Sequence, residues 1–349
     1  MKLVVLGLSL SSSWGNGHAT TYRALLRQFA ARGHEILFLE RDVPWYRKHR
    51  DLVDPPWCRL EFYADLDDLK TRFAGEICGC DWAIVGSYVP DGVAVGEWAT
   101  QSAPRTAFYD IDTPVTLAKL ARGDFEYLSP ALIGRYDLYL SFSGGPTLQR
   151  LEKMGSPRAR ALYCSVDAAL YFPESNGKNW DLSYLGTYSD DRQPTFDALL
   201  LQTARDLPER RFCVAGPQYP KDLNWPRNVE RIAHLPPAQH RGFYNASKWT
   251  LNVTRADMIV AGWSPSVRLF EAAACAAPIV SDFWLGLEEI FDLGSEIRVA
   301  RSSEEARAVV LETGEEERAQ IGHAAREKVL DHHTAAHRAA QLEEYLMCW

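Results

Sequence analysis

Short apolar segments alternate with amphipathic helical segments over the first 165 residues. Apolar runs with the length of buried strands lie at residues 3–8, 35–40, 82–86, 106–110 and 138–142. Residues 18–32 have a helical period in which Leu25 and Phe29 share one face, and Gly33 follows as a signal that the helix ends. Strands that alternate with helices form parallel sheets covered by helices on both faces. The alternation therefore predicts a doubly wound α/β domain.

A second series begins after a turn-rich stretch at residues 173–178, which we interpret as a linker. Strand-like runs lie at residues 182–186, 212–215, 229–233, 249–253 and 278–281. Helical patterns lie at residues 193–207, 267–275, 304–311 and 315–345. We predict a Rossmann-like N-terminal domain (1–170), a Rossmann-like C-terminal domain (178–330) and a C-terminal helix (331–349) that packs back towards the first domain. A chain of 349 residues has the length of about two domains.

The charge balance argues against a nucleic-acid partner, because 38 Lys and Arg residues stand against 46 Asp and Glu residues and the net charge is −8. No apolar run reaches the ~20 residues of a membrane span. The apolar start fits a buried strand better than a signal peptide, since no small-residue cleavage site follows it. Seven cysteines without zinc-like spacing predict free thiols in a reducing compartment. We expect a cytoplasmic protein, whose oligomeric state the sequence does not indicate.

The loop after the first predicted strand contains candidate binding residues. Gly15 and Gly17 allow backbone N–H groups to approach a ligand, and the N-terminus of the following helix favours an anion. Trp14 precedes these glycines, and His18 begins the helix. We assign all four residues to the acceptor side of a cleft, with His18 also a candidate catalytic residue. The alternatives are a loop that only turns the chain and a histidine that only caps the helix.

A nicotinamide-dinucleotide site is another interpretation of the same loop. The acidic residue expected ~20 positions further on would be Glu40 or Asp42, at the end of the second predicted strand. The loop lacks the third glycine of the dinucleotide fingerprint. The sequence therefore keeps a dinucleotide site as an alternative without favouring it.

Residues 264–280 have the pattern of a loop, a helix, a turn and a strand. Ser264 is placed to cap the helix, and Pro265 to be its first residue. Glu271 then falls within an Ala-rich apolar helix, where an unpaired carboxylate would be costly. Glu271 needs either a ligand hydroxyl or a basic partner, and Arg268 is three residues earlier on the same helix. Both interpretations stay open at this point.

Segment 264–280 resembles the donor-binding helix of family-4-type glycosyltransferases (E-A-x-A-x-G-x-P-V-V), and most closely that of the CgeB-like, spore-maturation-type branch. Four further stretches resemble the same family: RGHEI at residues 32–36, YLGTYSDDR at 184–192, NVTR at 252–255 and DFWLGLEEI at 282–290. The resemblance implies the GT-B fold, in which two Rossmann-like domains face a cleft. It also implies that the N-terminal domain binds the acceptor and that the C-terminal domain binds a nucleotide sugar.

The resemblance implies that Glu271 binds the ribose hydroxyls of the donor and that the loop of Leu235 holds its base. Cleavage of the bond between sugar and diphosphate builds negative charge on the leaving group, which either a metal or arginines and a helix N-terminus can stabilise. Suitably placed candidates for donor binding are Gly186, Arg192, Arg255, Ser264, Ser266 and Arg268. Arg192 is also a catalytic candidate. Each arginine has a structural ion pair as its alternative role.

The sequence departs from the family pattern at three points. Ser264 occupies the position where many members have the first Glu of an E-x7-E pair, and Ala276 replaces the usual Gly. A lysine often found a few residues after the donor-loop arginine does not follow Arg192. The role that the family gives to the first Glu, near the donor sugar, therefore has no counterpart at Ser264.

Asp110 and Asp112 form a DxD sequence at the end of a predicted strand. They could bind a metal, cap a helix or turn, or lie in the cleft as an acceptor contact or a base. The carboxyl end of a parallel strand favours the cleft. We therefore take Asp110 as a catalytic candidate, and Asp112 and Tyr88 as acceptor-side candidates. We predict no metal site and interpret the histidines at 332, 333 and 337 as a solvated helix face.

We expect a glycosyltransferase that moves a sugar from a UDP-, GDP- or dTDP-sugar to an unknown acceptor, with retention of configuration and without a required metal or other cofactor. The alternatives are a nucleotide-sugar-binding protein without transfer activity and a nucleotide-sugar epimerase or hydrolase. Aromatic residues in or beside the predicted cleft loops are candidates for stacking on a sugar or a base: Trp14, Tyr88, Tyr188, Trp263 and Trp284.

Overall fold

The structure, a computed structural model, describes residues 1–14, 17–175 and 177–348 and divides into two compact units. The first unit contains Met1–Ser165 together with the chain from Ala335 onward, and the second contains Val166–Thr334. The chain therefore enters the second unit after Ser165 and returns to the first unit at Ala335.

The first unit contains a seven-stranded sheet in the order β3-β2-β1-β4-β5-β6-β7, in which every pair is parallel. Its strands are β1 (Lys2–Gly7), β2 (Glu35–Arg41), β3 (Arg59–Tyr63), β4 (Trp82–Gly86), β5 (Thr106–Asp110), β6 (Leu138–Ser141) and β7 (Ala159–Ala161). Val5 and Leu6 of β1 point into different apolar clusters. Residues 3–6 of β1 are therefore all apolar because both faces of the sheet are buried.

In the described part of the chain, seven helices connect these strands. They are α1 (Gly17–Ala31), α2 (Pro44–Arg47), α3 (Leu66–Cys78), α4 (Gly92–Ser102), α5 (Thr113–Ala121), α6 (Pro130–Ile133) and α7 (Pro146–Lys153). α1 buries Leu25, Leu26 and Phe29. It ends before Gly33, whose φ of +89° is a left-handed conformation that glycine adopts without strain.

The second unit contains a six-stranded parallel sheet in the order β10-β9-β8-β11-β12-β13. Its strands are β8 (Trp180–Leu185), β9 (Phe212–Ala215), β10 (Val229–Ile232), β11 (Ser247–Asn252), β12 (Ile279–Ser281) and β13 (Arg298–Val299). An apolar cluster that includes Leu182, Trp249 and Leu251 packs beneath the helices.

A continuous helical stretch follows β8 and consists of α8 (Gln193–Phe196), a π-helical turn (Asp197–Gln202) and α9 (Thr203–Asp206). The remaining helices are α10 (Pro237–Asn245), α11 (Ala256–Ala261), α12 (Val267–Ala274), a 3-10 turn (Leu287–Glu289), α13 (Ser303–Glu312), α14 (Glu315–His332) and α15 (Ala335–Met347). α15 packs against α1 in the first unit, where Leu342 and Leu346 share an apolar cluster with Phe29.

Two parallel sheets with interleaved helices confirm the predicted α/β fold class. Three strands were not predicted: β3, β7 and β13. All three end a sheet, so they are short or half-exposed and lack a continuous apolar run. The predicted single helix over 315–345 is wrong. It is interrupted at His333 and Thr334, where Thr334 forms a bridge with Val166 before the chain leaves the second unit.

Candidate functional site

Three arginines come together at the carboxyl edge of the second sheet. Arg192 immediately precedes α8, Arg255 precedes α11, and Arg268 lies in the first turn of α12. Burial and, to a smaller extent, the charges of Arg268 and Arg255 lower the pKa of the Arg192 guanidinium, so the three cations interact with one another. Arg192 donates to the carbonyl oxygen of Thr187 at 2.7 Å, and Arg255 lies 3.8 Å from Asp191. Within the described chain, neither Arg192 nor Arg268 forms an ion pair with a carboxylate.

Asn252, the last residue of β11, orients the beginning of α12. Its Oδ1 accepts hydrogen bonds from Ser266 Oγ at 2.8 Å and from Arg268 Nη1 at 3.0 Å. The Arg268 Nε also donates to the carbonyl oxygen of Leu185, and its guanidinium carbon lies 5.0 Å from the centre of the Tyr184 ring. The arginine side chain is therefore held by the ends of two neighbouring strands, with its charge at the N-terminus of α12.

Gly186 lies where the backbone must come close to Arg268. A Cβ atom at this position would be 2.8 Å from Arg268 Nη2 and 2.6 Å from Tyr184 Oη. Across the sheet edge, a Cβ at Gly216 would lie 2.0 Å from the carbonyl oxygen of Gly186. Glycine is therefore required at position 216 by the close backbone, whereas a side chain at position 186 would displace the ends of the Arg268 and Tyr184 side chains.

Glu271 is buried one turn further along α12, with 5% of its surface exposed. Its Oε2 accepts a hydrogen bond from Tyr244 Oη at 3.2 Å. Burial and the Glu271 carboxylate together raise the pKa of Tyr171, which also faces this carboxylate. The alternative of a local ion pair with Arg268 is wrong in this structure, because that guanidinium is held by Leu185 and Asn252 instead.

His240 joins two of the predicted donor residues and was not predicted from the sequence. Its Nε2 lies 3.2 Å from the carbonyl oxygen of Leu235, and its Nδ1 lies 3.8 Å from Oε2 of Glu271. The loop predicted to hold the base is thus connected through one imidazole to the carboxylate predicted to hold the ribose. The sequence patterns predict no helix around residue 240, so nothing in the sequence distinguishes this histidine from others.

The predicted cap of α12 is wrong by two residues. The helix begins at Val267, and Ser266 is the residue before it. Ser264 is buried, and its hydroxyl donates to the carbonyl oxygen of Gly262 at 3.0 Å. Pro265 therefore belongs to the loop rather than to the helix. Ser266 is the serine beside the first free N–H groups of α12, whereas Ser264 fixes the turn that precedes them.

A second group of predicted residues meets in the first unit, where His18, Tyr88 and Asp112 lie close together. The rings of His18 and Tyr88 pack edge to face with their centres 5.4 Å apart, and Tyr88 Oη donates to Asp112 Oδ2 at 3.2 Å. Burial lowers the pKa of His18 to about 4, so its imidazole is neutral at pH 7. Tyr88 has a φ of +61°, a strained conformation for a bulky side chain, and such strain is concentrated at functional sites.

Asp110 has no exposed surface and is enclosed by hydrogen-bond donors. Tyr139 Oη donates to it at 2.6 Å, Thr116 Oγ1 at 2.7 Å and the Asp112 backbone N–H at 3.3 Å. Burial raises the pKa of Asp110 to about 6 despite these donors. Its prediction as a catalytic residue loses its support, because no oxygen of this carboxylate reaches the surface. The turn-forming alternative fits this position.

The side chain of Glu40 stabilises the loop that follows β1 through hydrogen bonds. The buried carboxylate accepts hydrogen bonds from the backbone N–H groups of Leu10 and Ser11 at 2.7 and 2.9 Å. The hydroxyls of Ser9 and Ser11 donate to its other oxygen at 3.1 and 2.6 Å. Asp42 forms ion pairs with two arginines. Neither acidic residue is therefore available for a ribose, which removes the basis of the dinucleotide interpretation.

The structure describes some of the loop residues that were predicted to bind a ligand before α1, namely Trp14 and Gly17. Trp14 is 49% exposed and stacks on His49, with ring centres 4.4 Å apart and planes at 11°. Gly17 is the first residue of α1 and is exposed. Gly15 lies outside the described residues.

The aromatic residues predicted for stacking divide into two groups. Trp284 is 1% exposed, so its prediction as a stacking surface is wrong. It lies in the interior because the segment after β12 folds inwards. Tyr188 and Trp263 are half-buried. Trp263 has a φ of +44°, and a Cβ at Gly286 would lie 2.6 Å from its ring, so the ring rests on a glycine.

No cluster of three His, Cys, Asp or Glu side chains suited to hold a metal ion occurs among the described residues. His333 stacks on Phe270 with ring centres 5.0 Å apart, whereas His332 and His337 are exposed. The solvated-face interpretation therefore fails for His333. None of the seven cysteines, all of which lie in the described part of the chain, forms a disulfide bond. Within the described part of the chain, no helix has the length and apolar character needed to cross a membrane.

Residues 192–344 match a family model described as glycosyl transferase-like. Sucrose-phosphate synthase from Thermosynechococcus elongatus matches with a TM-score of 0.75 and 13% identity over 100% of this chain and 99% of that chain. HepE from Anabaena, solved in complex with UDP and glucose, matches with a TM-score of 0.76 and 13% identity over 100% of both chains. No curated protein matches the sequence.

AviGT4, a glycosyltransferase involved in avilamycin A biosynthesis, matches with a TM-score of 0.66 and 14% identity over 99% of this chain and 97% of that chain. At these identities the matched structures establish the fold. The two Rossmann-like units are those of the GT-B glycosyltransferase fold, as predicted.

Proposed function

We propose that this protein is a glycosyltransferase that moves a sugar from a nucleotide-diphosphate sugar to an acceptor hydroxyl. The observation that supports the proposal most strongly is the cluster of Arg192, Arg255 and Arg268 at the N-terminus of α12, one turn before the buried Glu271. This cluster lies in the part of the chain that matches the glycosyl transferase-like model. The UDP complex of the similar HepE makes a UDP-sugar the first donor to test.

The spacing along α12 suits the diphosphate and the neighbouring ribose of a nucleoside diphosphate. Arg268 and Glu271 are three residues apart, and α-helical residues rise ~1.5 Å each, so the two side chains leave the helix ~5 Å apart along its axis. The arginines would bind the diphosphate, and Glu271 would accept hydrogen bonds from the ribose hydroxyls. His240 would hold the loop of Leu235, which is proposed to bind the base, in a fixed position relative to Glu271.

In the transfer step, the acceptor oxygen forms a bond to the anomeric carbon and the bond from that carbon to the diphosphate oxygen breaks. The leaving diphosphate takes the electron pair, and the arginine cluster stabilises its growing charge, so we propose that no metal is required. We propose retention, with the acceptor proton passing to a donor phosphate oxygen. His18, neutral at pH 7, would lie on the acceptor side with Tyr88 and Asp112.

The domain roles belong to the same proposal. The second unit, with the arginine cluster, would bind the donor, and the first unit would bind the acceptor through the loops of Trp14, His18 and Tyr88. Membership of the CgeB-like branch and a cytoplasmic location are further proposals that rest on the residues of the sequence alone.

The proposal is tested by thermal shift with UDP-, GDP-, dTDP- and ADP-sugars, followed by donor consumption with and without candidate acceptors. A ligand that binds only the folded protein raises the melting temperature. Acceptor-dependent release of the nucleoside diphosphate supports transfer. Consumption without acceptor identifies a hydrolase, conversion of the sugar identifies an epimerase, and binding without consumption identifies a binding protein.

A matched pair of variants tests the site. Arg192→Leu should weaken donor binding by roughly 10- to 100-fold, since a charge-assisted hydrogen bond is worth about 1.5–3 kcal/mol. Arg210→Leu removes an arginine of the same unit that lies 3.5 Å from Asp181 and not at the cluster, and it should leave donor binding unchanged. Equal donor affinity in wild type and Arg192→Leu would show that the cluster does not hold the diphosphate.

A further inference from the structure

Trp14 forms an exposed aromatic platform on the first unit. One face of the indole stacks on the imidazole of His49, with centres 4.4 Å apart and planes at 11°, while half of the side chain is exposed. A tryptophan supported from behind in this way presents a flat surface to solvent. Flat aromatic surfaces of this kind bind other flat or ring-shaped groups by face-on contact.

The platform is fixed by a network of hydrogen bonds between two loops. Ser11, Ser12 and Ser13 form one side of the network, and His49 and Asp51 form the other. The carbonyl oxygen of Ser11 accepts from the backbone N–H of Asp51 at 2.9 Å, and Ser12 Oγ donates to the carbonyl oxygen of His49 at 2.9 Å. The backbone N–H of Ser13 donates to Asp51 Oδ1 at 3.2 Å. The stacked rings are therefore held in place before any ligand binds, which lowers the entropy lost on binding.

The surroundings of the platform are polar, with groups of both charge signs. Arg23 pairs with Asp51, and Lys48 is exposed on the same segment as His49. Partial burial raises the pKa of Asp51, but the hydrogen bonds from Arg23 and Ser13 lower this pKa by more. The carboxylate is therefore ionised at neutral pH. A single aromatic face with charged donors and acceptors around it suits a ring that has apolar C–H faces and hydroxyl edges. A hydrocarbon chain would instead need aliphatic neighbours.

We infer that Trp14 and His49 form the acceptor subsite and that the acceptor is a saccharide, one of whose pyranose rings stacks on Trp14. The inference rests on the proposed function, because it names the acceptor of the proposed transfer. It narrows the acceptor from any hydroxyl compound to a sugar.

Saturation-transfer NMR with the wild-type chain and no donor tests this inference directly. The probes are the methyl β-pyranosides of glucose, galactose and mannose, and sorbitol serves as a polyol without a ring face. At least one pyranoside should receive saturation, most strongly at the protons of one ring face, and sorbitol should not. If no pyranoside gives a signal that depends on Trp14, the inference is overturned.

Three variants separate the platform from general aromatic contact. Trp14→Ala should weaken the pyranoside interaction by about ten-fold, and Trp14→Phe should retain part of it. Trp45→Ala is the matched control, because Trp45 is 63% exposed, lies in the same unit and contacts the Tyr46 ring edge to face rather than by stacking. An equal loss in Trp14→Ala and Trp45→Ala would show that saccharides contact exposed tryptophans without a specific site.

Calorimetric titration with UDP distinguishes failure of this inference from failure of the proposed function. UDP affinity should be the same in wild type and in Trp14→Ala. Reduced UDP affinity in Trp14→Ala would assign the platform to the nucleotide and overturn the inference. Wild-type protein that binds pyranosides but no nucleotide would contradict the proposed function and leave the saccharide subsite in place.

Discussion

Arg268 donates from Nη1 to Oδ1 of Asn252 at 3.0 Å and thereby joins the first turn of α12 to the end of β11. The amide nitrogen of Asn252 donates in turn to Thr254 Oγ1 at 3.2 Å and to Ser281 Oγ at 2.9 Å. Asn252 is 1% exposed and uses both its oxygen and its nitrogen. The position of the arginine therefore depends on a buried amide that itself would not reach the donor.

Asn252→Ala should lower both the stability of the fold and the affinity for the donor. Loss of the amide leaves buried partners such as Ser281 without their hydrogen bond, which costs about 1–3 kcal/mol for each unsatisfied group. Arg268 and Ser266 lose a shared acceptor, so the guanidinium is less well oriented towards a diphosphate. Urea unfolding measures the first effect, and calorimetric titration of a bound nucleotide sugar measures the second.

Asn228→Ala is the control for this prediction. The Asn228 side chain donates to the carbonyl oxygens of Ala204, Leu207 and Arg210, so its loss should also destabilise the second unit. These three carbonyl groups belong to residues outside the arginine cluster. Donor affinity measured well below the unfolding temperature should therefore fall in Asn252→Ala and stay constant in Asn228→Ala. A similar loss in both variants would indicate that Asn252 acts through stability alone.

Glu271→Gln should reduce the preference for a ribose over a deoxyribose. If the carboxylate accepts a hydrogen bond from a ribose hydroxyl, wild-type protein should bind UDP about ten-fold more tightly than 2′-deoxy-UDP or 3′-deoxy-UDP. The amide is a weaker acceptor than the carboxylate, so the difference should shrink in Glu271→Gln. Calorimetric titration with the three nucleotides measures it.

Tyr244→Phe is the companion variant, because it removes the hydrogen bond to Glu271 but keeps the carboxylate. It should retain most of the discrimination between ribose and deoxyribose. Unchanged discrimination in Glu271→Gln would leave Glu271 with a purely structural role beside Tyr244 and His240.

Periodicity and short motifs were sufficient to predict the fold class and most of the strands. The strands with continuous apolar runs, such as β1 and β4, were predicted because they are buried on both faces. Three of the four strands at the ends of the sheets, β3, β7 and β13, were missed because short or half-exposed strands have no such run. The interruption at His333 was missed because neither glycine nor proline is present there to signal it.

In the candidate site, too, local features were predicted from the sequence and contacts between distant residues were not. Arg192, Arg255 and Arg268 were predicted from local motifs, and they do come together. The link between distant segments was not predictable, because His240 and Glu271 come together only after the sheet has formed. The DxD motif was misleading for a related reason. A short acidic motif does not reveal that Tyr139, 29 residues further along, encloses Asp110 in the interior.

Asp110 should make stability depend on pH between about 4 and about 6. Burial raises the pKa of this carboxyl group from its ordinary value of 3.8 to about 6 in the folded protein. The folded state therefore binds this proton more tightly, so the contribution of Asp110 to stability is lost as pH rises through that window and stays constant above it. The change across the window should be roughly 2–3 kcal/mol. Urea unfolding of wild type and Asp110→Asn at pH 4, 5, 6 and 8 isolates it, since the other groups cancel in the difference.

A substitution of His18 should change the pH dependence of stability in the opposite direction to a substitution of Asp110. Burial lowers its pKa to about 4 from 6.5, so the unfolded state binds this proton more tightly. Its contribution to stability should therefore be lost as pH falls from about 6.5 to about 4. His18→Gln should make the chain less sensitive to acid, whereas Asp110→Asn should make it less sensitive to the rise from pH 4 to 6. Parallel curves for both variants and wild type would contradict the two assignments.

Ala276→Gly should stabilise the protein, because Ala276 adopts a φ of +52° at the C-terminal end of α12. The backbone N–H groups of Ala276 and Ala277 donate to the carbonyl oxygens of Ala273 and Ala272, a helix end that normally has glycine in the left-handed position. An L-residue pays about 1–2 kcal/mol for this conformation, and part of the gain is offset by the greater freedom of glycine in the unfolded chain. The free energy of unfolding in urea should rise by about 0.5–1 kcal/mol.

Ala274→Gly, inside the same helix, is the control and should lower the free energy of unfolding by about 1 kcal/mol or more, since glycine is unfavourable in a helix interior and the methyl group of Ala274 is fully buried. If Ala276→Gly destabilised the chain as much as Ala274→Gly, the left-handed conformation at position 276 would be wrong.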